Sequence, residues 1–206
     1  MEVKSCSNTP NFKARHIANA TTRFASYKIL ELDKVSDAVA LEKLQQTFKK
    51  ETILDRFPEN GLLSVTYEFM NNLFKSVKNP NMRTFLTITE GKPSALMTVE
   101  SSNPKKYMHV AYLAAWKPEG MLKPHYNGKV LIRHLFENAR QNKTEAIDLI
   151  PGFRSKGFYE KLGFEKDGFD VCISNDRILD NIKNIDTTVN YEVLKNQPEI
   201  DLNVFV

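Results

Sequence analysis

A chain of 206 residues with 41% hydrophobic and 26% charged residues is long enough to bury one core and too apolar to remain disordered. Its formal net charge of +4 comes from Lys and Arg scattered among Asp and Glu, which argues against a nucleic-acid surface, where basic residues cluster among aromatics. Two cysteines, Cys6 and Cys172, supply neither a disulfide framework nor a metal-ligand spacing, and no apolar run approaches the roughly 20 residues that span a bilayer. These properties predict one cytoplasmic domain with no metal and no membrane partner.

Residues 1–25 are rich in Ser, Asn, Thr and Lys with isolated apolar residues and are expected to form a flexible polar tail, with a single domain over 26–206. Tyr27 to Leu32 alternates as a strand does, and Ser36 offers an N-cap for a helix reaching about Lys50. A second helix is predicted from Ser64 to Val77, with Val65, Phe69, Leu73 and Val77 on one face. Three strand-like runs follow, Arg83 to Thr89, Ser94 to Glu100 and Tyr107 to Ala115. Their short turn-rich links imply an antiparallel meander.

A helix over Gly128 to Gln141 comes next, with Asn127 as its expected N-cap and Ile132, Leu135, Phe136 and Ala139 on its inner face. The run Glu145 to Ile150 then reads as a strand lying parallel to its predecessor across this crossover helix. A short helix spans 154–162, and Gly163 stands where a left-handed cap is wanted. A strand from Phe169 to Ser174, a helix over 176–185 and a strand from Thr188 to Leu194 complete the pattern. The segment Asn196 to Val206 ends in apolar residues that suit either a partner subunit, as in a homodimer, or the chain's own domain.

Phe158-Tyr159-Glu160-Lys161-Leu162-Gly163-Phe164 matches the FYxxLGF run of the GNAT superfamily of N-acetyltransferases, and the order of elements over 27–194 resembles that family's fold. The chain is thus identified as a divergent member. The resemblance implies an α+β fold: a mixed, mostly antiparallel sheet of about seven strands with helices on both faces. It implies acetyl-CoA as cosubstrate, held where two central strands splay apart, with its pyrophosphate at the N-terminus of the crossover helix. Orphan amides and the helix dipole favour anions there.

Departures from the family pattern occur at that helix start. Family members usually carry R/Q-x-x-G-x-G/A, whereas here Asn127 stands at the basic or amide position and Val130 and Ile132 stand where glycines are usual. Gly128, Lys129 and Arg133 are near enough to contribute amides and charge, and Arg154 and Lys156 open the next helix. A second departure is Gly152, where many members have an Asn that contacts the cofactor arm. The plain alternative for Asn127-Gly128 is a turn and cap, and for Arg154 and Lys156 a solvated surface role.

Acetyl transfer to an amine needs a neutral amine and a proton donor for the departing thiolate. The resemblance assigns the donor to Tyr159, whose competing role is packing beside Phe158 and Leu162. Glu100 and His109 are the candidates for a general base among several acidic and imidazole groups. The expected activity is transfer of an acetyl group from acetyl-CoA to a primary amine of a small molecule or protein by direct attack. The other reading is a weak or inactive domain that binds CoA or another protein.

Overall fold

The structure, a computed structural model, describes residues 13–32, 42–46, 63–101, 106–116, 126–152 and 155–205. Strands β1 (Lys13–Thr21) and β2 (Ser26–Leu32) come first, then helix α1 (Leu63–Val77) and the meander β3 (Met82–Thr89), β4 (Lys92–Ser101) and β5 (Tyr107–Ala115). Helix α2 (Asn127–Gln141) crosses to β6 (Ala146–Leu149), and the short helix α3 (Lys156–Glu160) leads into the hairpin β7 (Glu165–Asp167) and β8 (Asp170–Ser174). Helix α4 (Asn175–Asp186) precedes β9 (Asn190–Val193) and β10 (Glu199–Asp201). The helix expected over 36–50 falls largely outside the described residues, of which 42–46 are helical.

Among the described residues one sheet of ten strands, rather than about seven, runs in the order β10–β1–β2–β3–β4–β5–β6–β8–β7, with β9 also on β1. Of these strands only β5 and β6 pair in parallel, as the crossover helix between them requires. The fold is α+β with helices on both faces. Thr98 of β4 shares a hydrogen bond of 2.9 Å with Ser76 of α1, and Tyr112 of β5 meets Phe69 edge-on, which places α1 on one face. Phe85 of β3 packs against His134 of α2, which places α2 on the other.

Residues 13–21 correct the expectation of a flexible tail over 1–25: they form β1, paired with β2, β9 and β10. The inward positions are mostly alanines, Ala14, Ala18 and Ala20, too small to stand out in a hydrophobicity pattern. A register shift between His16 and Ala18 breaks the alternation as well. Residues 1–12 lie outside the described residues. At the other end, β10 pairs with β1 and Leu202 is fully buried, so the C-terminal segment packs on its own domain.

Most of α2 is buried, because the sheet covers one side and α4 and β9 cover much of the rest. Gly163 has φ +87°, the left-handed conformation expected of it, and a Cβ there would lie 2.2 Å from Asn181 Nδ2. The backbone conformation disfavours any side chain, and a Cβ would also displace the Asn181 amide from its bond to the Arg177 carbonyl. Gly163→Ala is expected to cost about 2 kcal/mol, read as a melting temperature lower by roughly 4–8 °C.

Candidate active site where two strands part

The β5–β6 ladder runs from Tyr107 opposite Ala146 to Val110 opposite Leu149 and stops there, while β5 continues along β4 to Ala115. The cause is local. Ile150 is exposed, and Pro151, which has no amide to donate, follows it. A wedge therefore opens between the C-terminal ends of the two strands, edged by the backbone of β5.

Helix α2 begins at the mouth of this wedge. Asn127 is not the N-cap that its residue type suggested: the cap is Tyr126, in the left-handed conformation at φ 57°, and its own side chain makes no capping hydrogen bond. The Asn127 side chain instead donates from Nδ2 to the Trp116 carbonyl at 2.6 Å, tying the helix start to the end of β5. The first intrahelical bond is Val130 N–H to the Tyr126 carbonyl, 2.8 Å, so the Asn127, Gly128 and Lys129 amides precede the helical ladder. The first turn holds no acidic residue. This is an electropositive helix end.

A Cβ on Gly128 would sit 3.5 Å from Phe158, 3.6 Å from Ala115 and 3.9 Å from Leu113, so Gly128 joins the end of β5, the start of α2 and helix α3. Lys129 Nζ donates to Thr188 Oγ1 at 2.7 Å and lies 5.4 Å above the Tyr126 ring. Burial lowers its pKa, and among the described residues it has no carboxylate partner. The tip of the β1–β2 hairpin also reaches this helix end, where Phe24 stacks on Tyr126 at 6.0 Å and Arg23 covers Phe24 at 4.4 Å.

Other predicted residues lie elsewhere. Val130 and Ile132 have fully buried side chains, so neither crowds the exposed side of the helix start. Arg133 is buried and grips α4, with Nε and Nη2 on the two Asp186 carboxylate oxygens at 2.6 and 3.1 Å and Nη1 3.4 Å from Glu137. Exposed Lys156 lies 3.6 Å from Glu160 within α3, and Arg154 lies outside the described residues.

Tyr159 is 6% exposed, packed edge-on between Phe158 and Phe164, and burial pushes its hydroxyl pKa up to about 12. On the outer face of the sheet Glu100 stands directly opposite His109, and His109 Nδ1 lies 3.3 Å from Asp148 Oδ2 on β6. Phe158 entered the sequence reading only as part of the run around Tyr159, and Asp148, Tyr126 and the hairpin tip were absent from the sequence-based site. Asp148 alone left a trace there, as the one acidic residue inside the apolar run Ala146 to Ile150. A polar cavity of about 400 Å³ between α2, β1, β3 and β9 lies apart from the wedge, bordered by Arg15, Glu31, Arg83 and His134.

The element order and the parted parallel pair are those of the GNAT fold. No family model and no curated protein matches the chain. Gcn5 from Tetrahymena shares 15% identity, covering 66% of this chain and 86% of its own, with a TM-score of 0.46. The PaiA N-acetyltransferase of Thermoplasma acidophilum, in complex with coenzyme A, shares 17% over 71% and 96%, with a TM-score of 0.48. A mutant AtaT toxin bound to the C-terminus of the antitoxin AtaR and acetyl-CoA shares 15% over 74% and 95%, also at 0.48. Overlaps at these levels decide nothing about chemistry, which rests on the residues around the wedge.

Proposed function

We propose that this chain is an acetyl-CoA-dependent N-acetyltransferase that acetylates a primary amine of a small molecule or protein by direct attack. The observation that carries this reading is the wedge between β5 and β6 with, at its mouth, a helix N-terminus whose cap residue makes no side-chain capping bond. Its parts fit the cosubstrate. The β5 edge suits an amide-bearing arm that pairs as a strand would, and the amides of residues 127–129 with the Lys129 ammonium suit a pyrophosphate. Gly128 carries no side chain, which suits close approach of a phosphate to the helix backbone.

Bound acetyl-CoA supplies an acyl carbon activated as a thioester. Tyr159 keeps its proton on Oη throughout the physiological range, because burial holds the hydroxyl at about 12, and so stays in the form a general acid needs. Val130 and Ile132, where the family usually has glycines, point into the core and leave the helix end open to phosphate.

Calorimetric titration with acetyl-CoA, followed by turnover assays on a panel of amines, tests the reading. Absence of binding at millimolar acetyl-CoA would sink it, and binding without turnover of any amine would support a binding module instead. Tyr159→Phe is expected to slow turnover by about tenfold or more while leaving acetyl-CoA affinity intact. An unchanged rate would assign Tyr159 to packing alone.

A further inference from the structure

We infer that Asp148 is a positioning residue that holds His109 as the base for an acceptor arriving as an ammonium ion; this rests on the acetyltransferase reading above. The argument begins with register. Glu100 of β4, His109 of β5, Asp148 of β6 and Cys172 of β8 lie side by side across four adjacent strands. Directly opposed side chains of neighbouring strands have Cβ atoms about 5 Å apart, so His109 stands between two carboxylates. Its rung is the last but one before the ladder ends at Val110 and Leu149.

The face matters as much as the position. Glu100 is two residues beyond Thr98, which bonds Ser76 of α1, so the row lies on the α1 side of the sheet, away from α2. A cosubstrate whose phosphates rest on the α2 N-terminus occupies the opposite face, and a second reactant must approach the wedge from this one. His109 and Asp148 have side chains 37% and 40% exposed, open to a solute.

Of the two candidate bases, only His109 has an oriented partner. Among the described residues Glu100 makes no ion pair. With Asp148 3.3 Å from Nδ1, the favoured tautomer carries its proton on Nδ1, donates it to Asp148 and leaves the Nε2 lone pair bare. Cys172, on the other flank of Asp148, keeps its thiol protonated because burial and the Asp167, Asp148 and Glu165 carboxylates raise its pKa. The charge beside His109 therefore belongs to Asp148.

The proton step is then defined. One N–H bond of the ammonium breaks, its electron pair stays on the amine nitrogen, and the proton forms a new bond to Nε2. His109 becomes an imidazolium beside Asp148 and Glu100.

Imidazole nitrogen NMR on the full chain tests this without requiring turnover. Unaltered protein is expected to show His109 protonated on Nδ1 and bare on Nε2, with the Nε2 signal moving on addition of 1,4-diaminobutane and not of 1-butanol. Asp148→Asn should scramble the tautomer and lower kcat/KM for the diamine by roughly 10- to 100-fold, with acetyl-CoA affinity unchanged and partial rescue by Asp148→Glu. A proton on Nε2 in the unaltered protein, or an Asp148→Asn variant with the same tautomer and rate, would overturn the assignment. Should Asp148→Asn not fold, the unaltered tautomer and its response to the diamine still decide. Failure of the unaltered chain to bind acetyl-CoA would remove the acetyltransferase reading and this base role together, whereas retained binding with an indifferent His109 would remove the base role alone.

Discussion

Arg133→Ala is expected to lower the free energy of unfolding by about 2 kcal/mol and to leave acetyl-CoA affinity where it was. In a phosphate site this arginine would lose binding first. Its actual setting is structural: both ends of its fork reach Asp186 of α4, a third nitrogen approaches Glu137, and the guanidinium lies 4.5 Å over the Tyr191 ring. Truncation removes a half-buried bidentate ion pair, a cation–π contact and the stem that lies between α2 and α4. Glu137 keeps Arg140 and Gln141 as partners, and Asp186 is exposed enough to be hydrated once unpaired, so neither carboxylate is left as a buried lone charge. Urea unfolding and calorimetric titration on the same variant give the two numbers. A large fall in affinity with little change in stability would return Arg133 to the phosphates.

A second large effect is acid sensitivity centred on His134. Its ring is enclosed, its Nδ1 shares a 2.7 Å hydrogen bond with the Tyr191 hydroxyl, and its Nε2 has no partner among the described residues. Burial first, and then Arg83, lower its pKa from 6.5 to about 4, with Glu31 and Glu137 opposing and Arg133 assisting. The unfolded chain therefore takes up this proton more readily than the folded one. Stability on this account is complete above about pH 6.5, declines as pH falls and levels off near the folded value of about 4. A tenfold difference in proton affinity is worth about 1.4 kcal/mol, so the full loss is about 3 kcal/mol.

His134→Gln cannot titrate in this range. The stability difference between the unaltered protein and this variant should narrow steadily from pH 7 to pH 4 in urea melts. A constant difference would mean that the imidazole is protonated within the fold at little expense.

The lines legible in the residues were those governed by short-range rules. Gly163 was expected in the left-handed region from its place after a short helix, and it is there. The parallel pairing of β5 with β6 follows from a helix too long for a hairpin. What stayed hidden depends on partners far along the chain. Nothing near Arg133 announces Asp186, and nothing near His109 announces that Asp148 will stand beside it. The three-residue strands β7 and β10, Glu-Lys-Asp and Glu-Ile-Asp, carry too little apolar character to register as strands. Asn127 misled for another reason: its side chain is turned to donate from Nδ2 to the Trp116 carbonyl, and its Oδ1 accepts nothing from the first amides of the helix.

The two edges of the sheet are joined by α4, which leaves β8 at one side and delivers β9 and β10 to the outer edge of β1 at the other. Lys13 thereby pairs with Asp201, a contact between opposite ends of the sequence. Such a contact forms late, since closing so long a loop gains nothing until the strands between are in place. During synthesis the inner meander can assemble while β1 still shows a bare row of backbone donors and acceptors. In that interval the nascent chain presents the same template to a neighbouring copy that its own last strands later occupy.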